Sequence, residues 1–204
     1  MLEAQQKESS NVGVVLIARQ TSSRLPNKVL LDIDGKNMLE IILGKVLLNT
    51  DKYIFAVPDN YENRSLRSFL EVNKYNYYAG SENNVLERFI ESANFLKAKY
   101  IQRLNCDNLL FSPDYMKRCY EMLNDEYDVH TNVRCKNHSG SSVEIVKKEK
   151  CHLSSSPTDF EREHVFPYFY SNNDLKVARL ECPKEIVFPI DTNSDFKKAK
   201  SELK

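Results

Sequence analysis

The sequence lacks net charge, long apolar stretches and closely spaced cysteine pairs. Lysine plus arginine and aspartate plus glutamate each count 29 among the 204 residues, so the formal net charge at pH 7 is zero. Without a basic surplus, the chain has no general attraction for nucleic acid or acidic lipid, and any anion site must be local. No apolar run approaches the roughly 18 residues that a membrane-spanning helix needs. We therefore expect a protein that binds neither nucleic acid nor membrane.

The five cysteines are odd in number and include no Cys-x-x-Cys motif: Cys106, Cys119, Cys135, Cys151 and Cys182. This pattern favours reduced thiols in the cytosol over a disulfide framework or a zinc site. Residues 1–11 are polar and lack the apolar segment of a signal peptide. We expect a flexible leader over 1–11, a single domain over 12–204, and a cytoplasmic location.

Apolar periodicity predicts alternating strands and helices in the first half of the chain. Residues 12–18, VGVVLIA, are a continuous apolar run, which is typical of a strand covered on both faces. Further strands are predicted at 53–57, 75–79 and 100–104, and helices at 37–48, 61–73, 84–98 and from 113. The second half is less regular, with strands predicted at 127–133, 142–147, 176–180 and 185–190, and helices at 159–171 and from about 194. The order predicts an α/β fold, a mostly parallel sheet with helices on both faces.

The polar loop after the first strand carries the strongest sign of a binding site. Arg19, Arg24 and Lys28 place three cations within ten residues, with three hydroxyl side chains between them. Ligands of α/β proteins bind beyond the carboxyl ends of the strands, where cations and hydroxyls suit a triphosphate. The motifs GxxxxGK[ST] and GxGxxG are both absent, so this is neither a P-loop nor a dinucleotide-binding turn. The alternative is a solvated basic loop.

Two aspartates follow predicted strands. Asp107 comes after 100–104, and Asp191 comes after 185–190. Carboxylates at strand ends can hold Mg²⁺ against phosphate oxygens, provided that the fold brings them together. Spacing alone leaves two simpler interpretations open, with Asp107 as a turn residue and Asp191 as a helix cap.

A charged run, Glu161–His164, falls on the predicted helix 159–171. The HExxH motif is absent, which excludes a zincin-type metalloprotease. Two interpretations remain. The run is a charged surface face with His164 at the surface or at a dimer seam, or it contacts a sugar or a partner subunit.

Taken in order, these segments resemble the cytidylyltransferases that activate acidic sugars, the 3-deoxy-manno-octulosonate and acylneuraminate type. Among these, the chain is most similar to members like spore coat polysaccharide biosynthesis protein F. The resemblance rests on five segments: ARQTSSRLPNKVLLDIDGKNMLE, GSENNVLERF, RLNCDNLL, EREHVFPYF and FPIDTNSDF. They run from about residue 12 to residue 198, which is nearly the whole chain.

The resemblance implies a nucleotide-diphospho-sugar transferase fold, a Rossmann-like three-layer sandwich of the GT-A type, commonly a homodimer. It implies transfer of CMP from CTP to an acidic sugar for surface polysaccharide biosynthesis, with Mg²⁺ as cofactor and pyrophosphate as product. The nucleotide contacts that it implies are Ala18, Arg19, Ser23, Arg24, Lys28, Gly80, Asn84 and Arg88. Catalytic roles would fall to Arg19, Lys28 and Asp107, and the metal ligands would be Asp107 and Asp191. Acceptor contacts would come from Glu144, Arg162 and His164.

Three positions depart from the family pattern. Asn84 and Ser142 each stand where the family has aspartate, and Cys106 stands where it has glycine. Cys106 adds a side chain where the backbone normally passes close to the ligand. Two further hypotheses therefore stand beside the first. One is a cytidylyltransferase that acts on a phosphorylated non-sugar acceptor, and the other is a nucleotide-binding homologue with impaired catalysis.

Overall fold

The computed structural model describes residues 11–136 and 139–203. Apart from Asn11, the predicted leader 1–11 lies outside these ranges. The strands of the described chain are β1 (Val12–Ile17), β2 (Asp32–Ile33), β3 (Lys36–Asn37), β4 (Tyr53–Pro58), β5 (Tyr77–Gly80), β6 (Tyr100–Asn105), β7 (Val129–Thr131), β8 (Glu144–Lys147) and β9 (Val177–Arg179). The helices are α1 (Met38–Val46), α2 (Arg64–Val72), α3 (Val85–Asn94), α4 (Pro113–Glu121), α5 (Asp159–His164), α6 (Phe166–Ser171) and α7 (Asn193–Glu202).

Seven strands form one sheet in the order β5-β4-β1-β6-β8-β7-β9, and β2 and β3 form a separate hairpin. Pairing is parallel from β5 through β6 and again between β7 and β9. Strand β8 is antiparallel to both of its neighbours. The parallel strands β4, β1 and β6 lie side by side, so the loops that follow them leave from the same edge of the sheet.

The sheet is covered on both faces, as the apolar run of β1 predicts. Val14 and Leu16 face a core that is completed by side chains of α1, α2, α4 and α7. Val15, on the opposite face, packs with α3 and α6. All three valine and leucine side chains are fully buried. The predicted three-layer α/β arrangement with a mostly parallel sheet is therefore confirmed.

Two predicted elements differ from the structure. The helix predicted over 159–171 is broken into α5 and α6 at Val165, whose backbone has φ +66° and ψ −71°. A β-branched residue rarely adopts a positive φ, so Val165 is a strained break and not a continuation of the helix. The strand predicted at 185–190 is irregular, and Ile186 is 77% exposed. Its apolar side chains resemble a strand in sequence but do not join the sheet.

The expectation that all five cysteines are reduced thiols is wrong for one pair. Cys135 and Cys182 form a disulfide that joins the loop after β7 to the irregular segment before α7. The two residues are 47 positions apart in the chain, and nothing in their local sequence marks them as partners. The other three cysteines are free and buried.

The helices of the described ranges show no candidate membrane span. Each one is too short or too polar to cross a membrane.

Candidate active site

A cleft of about 310 Å³ opens beyond the carboxyl ends of β1 and β6. The parallel register pairs Ile17 with Asn105, so the loops that follow these strands begin next to each other. Residues from α3, α5 and the segment before α7 complete the walls. Eight of the residues predicted from the sequence line this cleft: Arg19, Ser23, Arg24, Lys28, Arg88, Asp107, His164 and Asp191.

The other five predicted residues lie around the cleft. Ala18 is buried in the core, and Gly80 is buried at the end of β5. Asn84 and Arg162 line a second pocket that adjoins the cleft. Glu144 is 4% exposed and lies in the core of the sheet, where it contacts a neighbouring arginine. The structure therefore brings the cations and the two aspartates together, whereas Glu144 does not reach the cleft surface.

Lys28 connects the two aspartates. Its Nζ donates to Asp107 Oδ2 and to Asp191 Oδ1, both at 3.1 Å, and to the Ile190 carbonyl at 2.9 Å. Arg24 also pairs with Asp191, with Nη2 3.0 Å from Oδ2. The two carboxylates, which are far apart in sequence, thus converge on one ammonium group. We call Arg24, Lys28, Asp107 and Asp191 the paired end of the cleft.

The local backbone explains how Asp191 reaches this position. The Ile190 N–H donates to the Asp107 carbonyl at 2.8 Å, which fixes the two chain segments against each other. Thr192 caps α7 in a capping box with Asp195. The interpretation of Asp191 as the helix cap is therefore wrong, because Thr192 caps the helix and the Asp191 carboxylate faces the cleft.

Arg19 and Arg88 occupy the other end of the cleft. Arg88 is 1% exposed, and its Nη1 donates to the carbonyls of Ser81 and Glu82. Among the residues that the structure describes, its Nε has no hydrogen-bond partner. Burial, together with the nearby positive charge of Arg19, lowers the pKa of Arg88 to about 10. Within the described part of the chain neither arginine forms an ion pair, and we call these two residues the unpaired end.

A fifth cation, Arg103, lines the cleft from β6 and was not singled out from the sequence. Its Nη2 pairs with Glu144, and its Nη1 donates to the His164 carbonyl at 2.9 Å. The Tyr170 hydroxyl donates to Glu144 Oε1 at 2.9 Å. Burial and the Glu144 charge raise the pKa of Tyr170, so its hydroxyl stays protonated. Glu144 therefore acts on the cleft indirectly, by holding Arg103.

The strained turn at Val165 has a consequence for this wall. It ends α5 directly after His164, and the helix-terminal carbonyl of His164 accepts from Arg103. Glu163 and His164 both line the cleft, while Arg162 faces the adjoining pocket. Backbone strain of this kind persists where the surroundings enforce it, and it is concentrated at functional sites.

Two departures from the family pattern are accommodated locally. Asn84 caps α3, with its side-chain oxygen accepting from the Glu87 N–H at 3.2 Å, and asparagine serves this role as well as aspartate does. Cys106 lines the floor of the cleft but is only 1% exposed. Burial raises the pKa of its thiol well above the usual range, so it remains a neutral group.

The chemistry of the donors limits which metal fits. No group of three or more histidine, cysteine or carboxylate side chains that could hold a metal ion occurs in the described ranges. Mg²⁺, however, is usually bound by one or two carboxylates together with substrate phosphates and water. Asp107 and Asp191, which converge beside a cationic cleft, match that requirement.

Comparisons with known proteins identify the family. The cytidylyltransferase family model matches residues 14–199. The chain belongs to the cytidylyltransferase family. It is 32% identical to an uncharacterized protein of Methanocaldococcus jannaschii, over 91% of this chain and 80% of that protein. It is 25% identical to the spore coat polysaccharide biosynthesis protein SpsF of Bacillus subtilis, over 94% of this chain and 86% of the relative.

A solved structure supports the fold. A cytidylyltransferase from Leptospira borgpetersenii superposes with a TM-score of 0.82 over 94% of this chain and 85% of its own, at 21% sequence identity. The family resemblance carried by the sequence motifs is confirmed by the family match over residues 14–199. The roles of individual residues in this cytidylyltransferase cleft remain predictions.

Proposed function

We propose that the protein transfers CMP from CTP to an acidic sugar and releases pyrophosphate, as a step in surface polysaccharide biosynthesis. Membership of the cytidylyltransferase family supports the reaction type, and the likeness to a spore coat polysaccharide protein supports the pathway. The observation that carries the proposal is the unpaired end of the cleft. Two neighbouring arginines line one cavity and form no ion pair within the described ranges, and a triphosphate would supply negative charge there.

The proposed reaction forms a bond between an acceptor hydroxyl oxygen and the α-phosphorus of CTP, and the hydroxyl proton passes to solvent. The bond from that phosphorus to the bridging oxygen breaks, and its electron pair leaves with pyrophosphate. Negative charge grows on the leaving oxygens, so fixed cations that face them lower the barrier. Arg19 and Arg88 would bind the triphosphate, and Arg24 and Lys28 would add positive charge at the paired end. Catalysis then depends mainly on positioning and electrostatics.

Asp107 and Asp191 would hold Mg²⁺, which when bound neutralises phosphate charge and orients the phosphates. Lys28 is held by these same two carboxylates. Metal binding and the position of the Lys28 ammonium are therefore linked. Without the metal, Lys28 keeps the two carboxylates close and offsets their mutual repulsion.

The acceptor would lie on the wall formed by Arg103, Glu163 and His164. Of these, Arg103 would bind the acceptor carboxylate only weakly, because Glu144 already balances its charge. We further propose that the enzyme acts as a homodimer in the cytoplasm, where CTP is available and where the Cys135–Cys182 disulfide would be reduced.

Pyrophosphate release provides the test. The protein is incubated with CTP, Mg²⁺ and a panel of acidic sugars, including 3-deoxy-manno-octulosonate and N-acetylneuraminate, with ATP, GTP and UTP as control nucleotides. We expect release with CTP and at least one acidic sugar. Pyrophosphate release only with phosphorylated non-sugar acceptors would show that the acceptor is not an acidic sugar. Tight CTP binding without pyrophosphate release in the presence of any acceptor would indicate a catalytically impaired homologue.

A further inference from the structure

Three loops that surround the unpaired end meet at the side chain of Glu82, which follows β5. The Thr21 hydroxyl, in the loop after β1, donates to Glu82 Oε1 at 2.7 Å. The Asn60 side chain, in the loop after β4, donates to Glu82 Oε2. One carboxylate thus joins the loops that follow three adjacent parallel strands of the sheet.

The contacts continue from Asn60 to the residue that follows Arg19. The Asn63 side chain donates to Asn60 Oδ1 at 2.6 Å, and its own oxygen accepts from the Gln20 N–H at 2.7 Å. The Gln20 side-chain oxygen accepts from the Leu66 N–H at 2.7 Å. Gln20 and Asn63 are buried, so these bonds are shielded from competition with water. Gln20 is thereby fixed on both its backbone and its side chain.

Glu82 also contacts the second arginine of the unpaired end. Its backbone carbonyl accepts from Arg88 Nη1 at 3.3 Å. The Arg19 charge lowers the pKa of Arg88, whereas the Glu82 charge raises it. The Glu82 carboxylate, together with that of Asp59, therefore offsets the repulsion between the two arginines.

We propose that Glu82 is a positioning residue that holds the Arg19 loop and Arg88 in register for a triphosphate. This inference rests on the proposed function, since the ligand that benefits is the triphosphate of CTP. Glu82 does not donate to phosphate. It acts through Thr21, Asn60 and the Arg88 guanidinium, and it orders the cations before the nucleotide arrives.

The direction in which a Glu82 substitution changes triphosphate affinity can be tested. Glu82 is negatively charged and lies beside a site for anions, so removal of its charge alone would tighten triphosphate binding. Loss of loop order would weaken binding. We expect Glu82→Ala to raise the dissociation constants for CTP and for inorganic triphosphate about tenfold, both measured by calorimetry. Glu91→Gln, which removes an exposed charge from α3, is the matched control and leaves both unchanged.

A coupling measurement separates positioning from a general loss of structure. Thr21→Val removes the hydroxyl that reaches Glu82 and is expected to weaken binding about threefold in the parent protein. In the Glu82→Ala background the same change has no further effect, because its partner is already gone. Additive effects of the two substitutions, or tighter binding by Glu82→Ala, would overturn the inference.

Hydrogen exchange of the nucleotide-free protein gives a readout that does not require CTP. We expect the Gln20 amide to exchange about tenfold faster in Glu82→Ala, while amides of β1 keep their protection. If the parent fails to bind CTP, the proposed function fails, but faster exchange at Gln20 would still show that Glu82 orders the loop. Unchanged exchange at Gln20 in a folded Glu82→Ala variant would overturn the positioning role itself.

Discussion

The paired end and the unpaired end of the cleft each hold two cations, but the two ends differ in how the positive charge is neutralised. At the paired end, Lys28 and Arg24 contact Asp107 and Asp191 at 3.0–3.1 Å. At the unpaired end, Arg88 is buried and donates to two backbone carbonyls, and Arg19 lies close enough to lower its pKa. The cations of one end are neutralised by direct ion pairs, whereas those of the other end form no ion pair within residues 11–136 and 139–203.

The difference separates two tasks that a nucleotidyl transfer requires. A balanced cluster of carboxylates and cations suits exchange between a metal and an ammonium group, and it stays stable when the cleft is empty. Unbalanced arginines favour an anion strongly, because its binding removes their mutual repulsion. We infer that the unpaired end contributes mainly affinity for CTP, and that the paired end contributes mainly to the rate of transfer.

The largest expected effect is at the paired end. Asp107→Asn and Asp191→Asn should each lower Mg²⁺-dependent pyrophosphate release by roughly 10²–10³-fold, because the proposed metal loses a charged ligand. In metal-free buffer, the same variants should bind CTP as well as or better than the parent, since Lys28 is less neutralised. Release rates close to the parental value would contradict the metal assignment.

The next largest effect is expected for Arg88→Met. Loss of the buried guanidinium should raise the CTP dissociation constant about 100-fold, because charge-assisted contacts to phosphate disappear. Arg118→Met, at an exposed position on α4, is the control for loss of one positive charge. Equal CTP affinity of both variants by calorimetry would show that Arg88 does not contribute to CTP binding.

The buried counter-ion of Arg103 allows a test of stability. Glu144→Gln should lower the free energy of unfolding by about 2 kcal/mol, less than for fully buried pairs, because Arg103 keeps contact with the cleft. Glu202→Gln, in an exposed pair with Lys198, should cost less than about 0.5 kcal/mol. Urea unfolding curves of the two variants give the comparison, and equal midpoints would show that the Arg103–Glu144 pair is not structural.

The smallest effects are expected when a single arginine is substituted at each end. Arg19→Ala should weaken CTP binding about tenfold, whereas Arg24→Ala should weaken it about threefold, because Asp191 already offsets the Arg24 charge. Arg24 is also 64% exposed, so solvent screens it further. If Arg24→Ala weakened binding more than Arg19→Ala, the division of the cleft into two ends would be wrong.

The parts of the fold that could be predicted are those with strong local signals. The buried run of β1 and the Ser112-Pro113 start of α4 each carry their structure in a few neighbouring residues. The prediction of a strand at 185–190 was wrong because the apolar residues of a segment do not show whether a neighbouring strand is available for pairing. The break at Val165 was missed because its conformation is strained and is imposed by the surrounding packing.

The candidate site likewise combines features that can be predicted from the sequence with features that cannot. The cations of residues 19–28 stand out in the sequence because they are close together. The convergence of Asp107 and Asp191, the Cys135–Cys182 bond and the contact of Thr21 with Glu82 depend on three-dimensional proximity alone. Arg103 could have been noticed, since a charged residue at an inward position of a buried strand needs a partner.

The most direct test of the account is a crystal structure of the protein with CTP and Mg²⁺. We expect the triphosphate to contact Arg19 and Arg88, and one metal ion to be bound by Asp107 and Asp191. A nucleotide bound outside this cleft, or one bound inside it while both aspartates remain paired only with Lys28, would contradict the account.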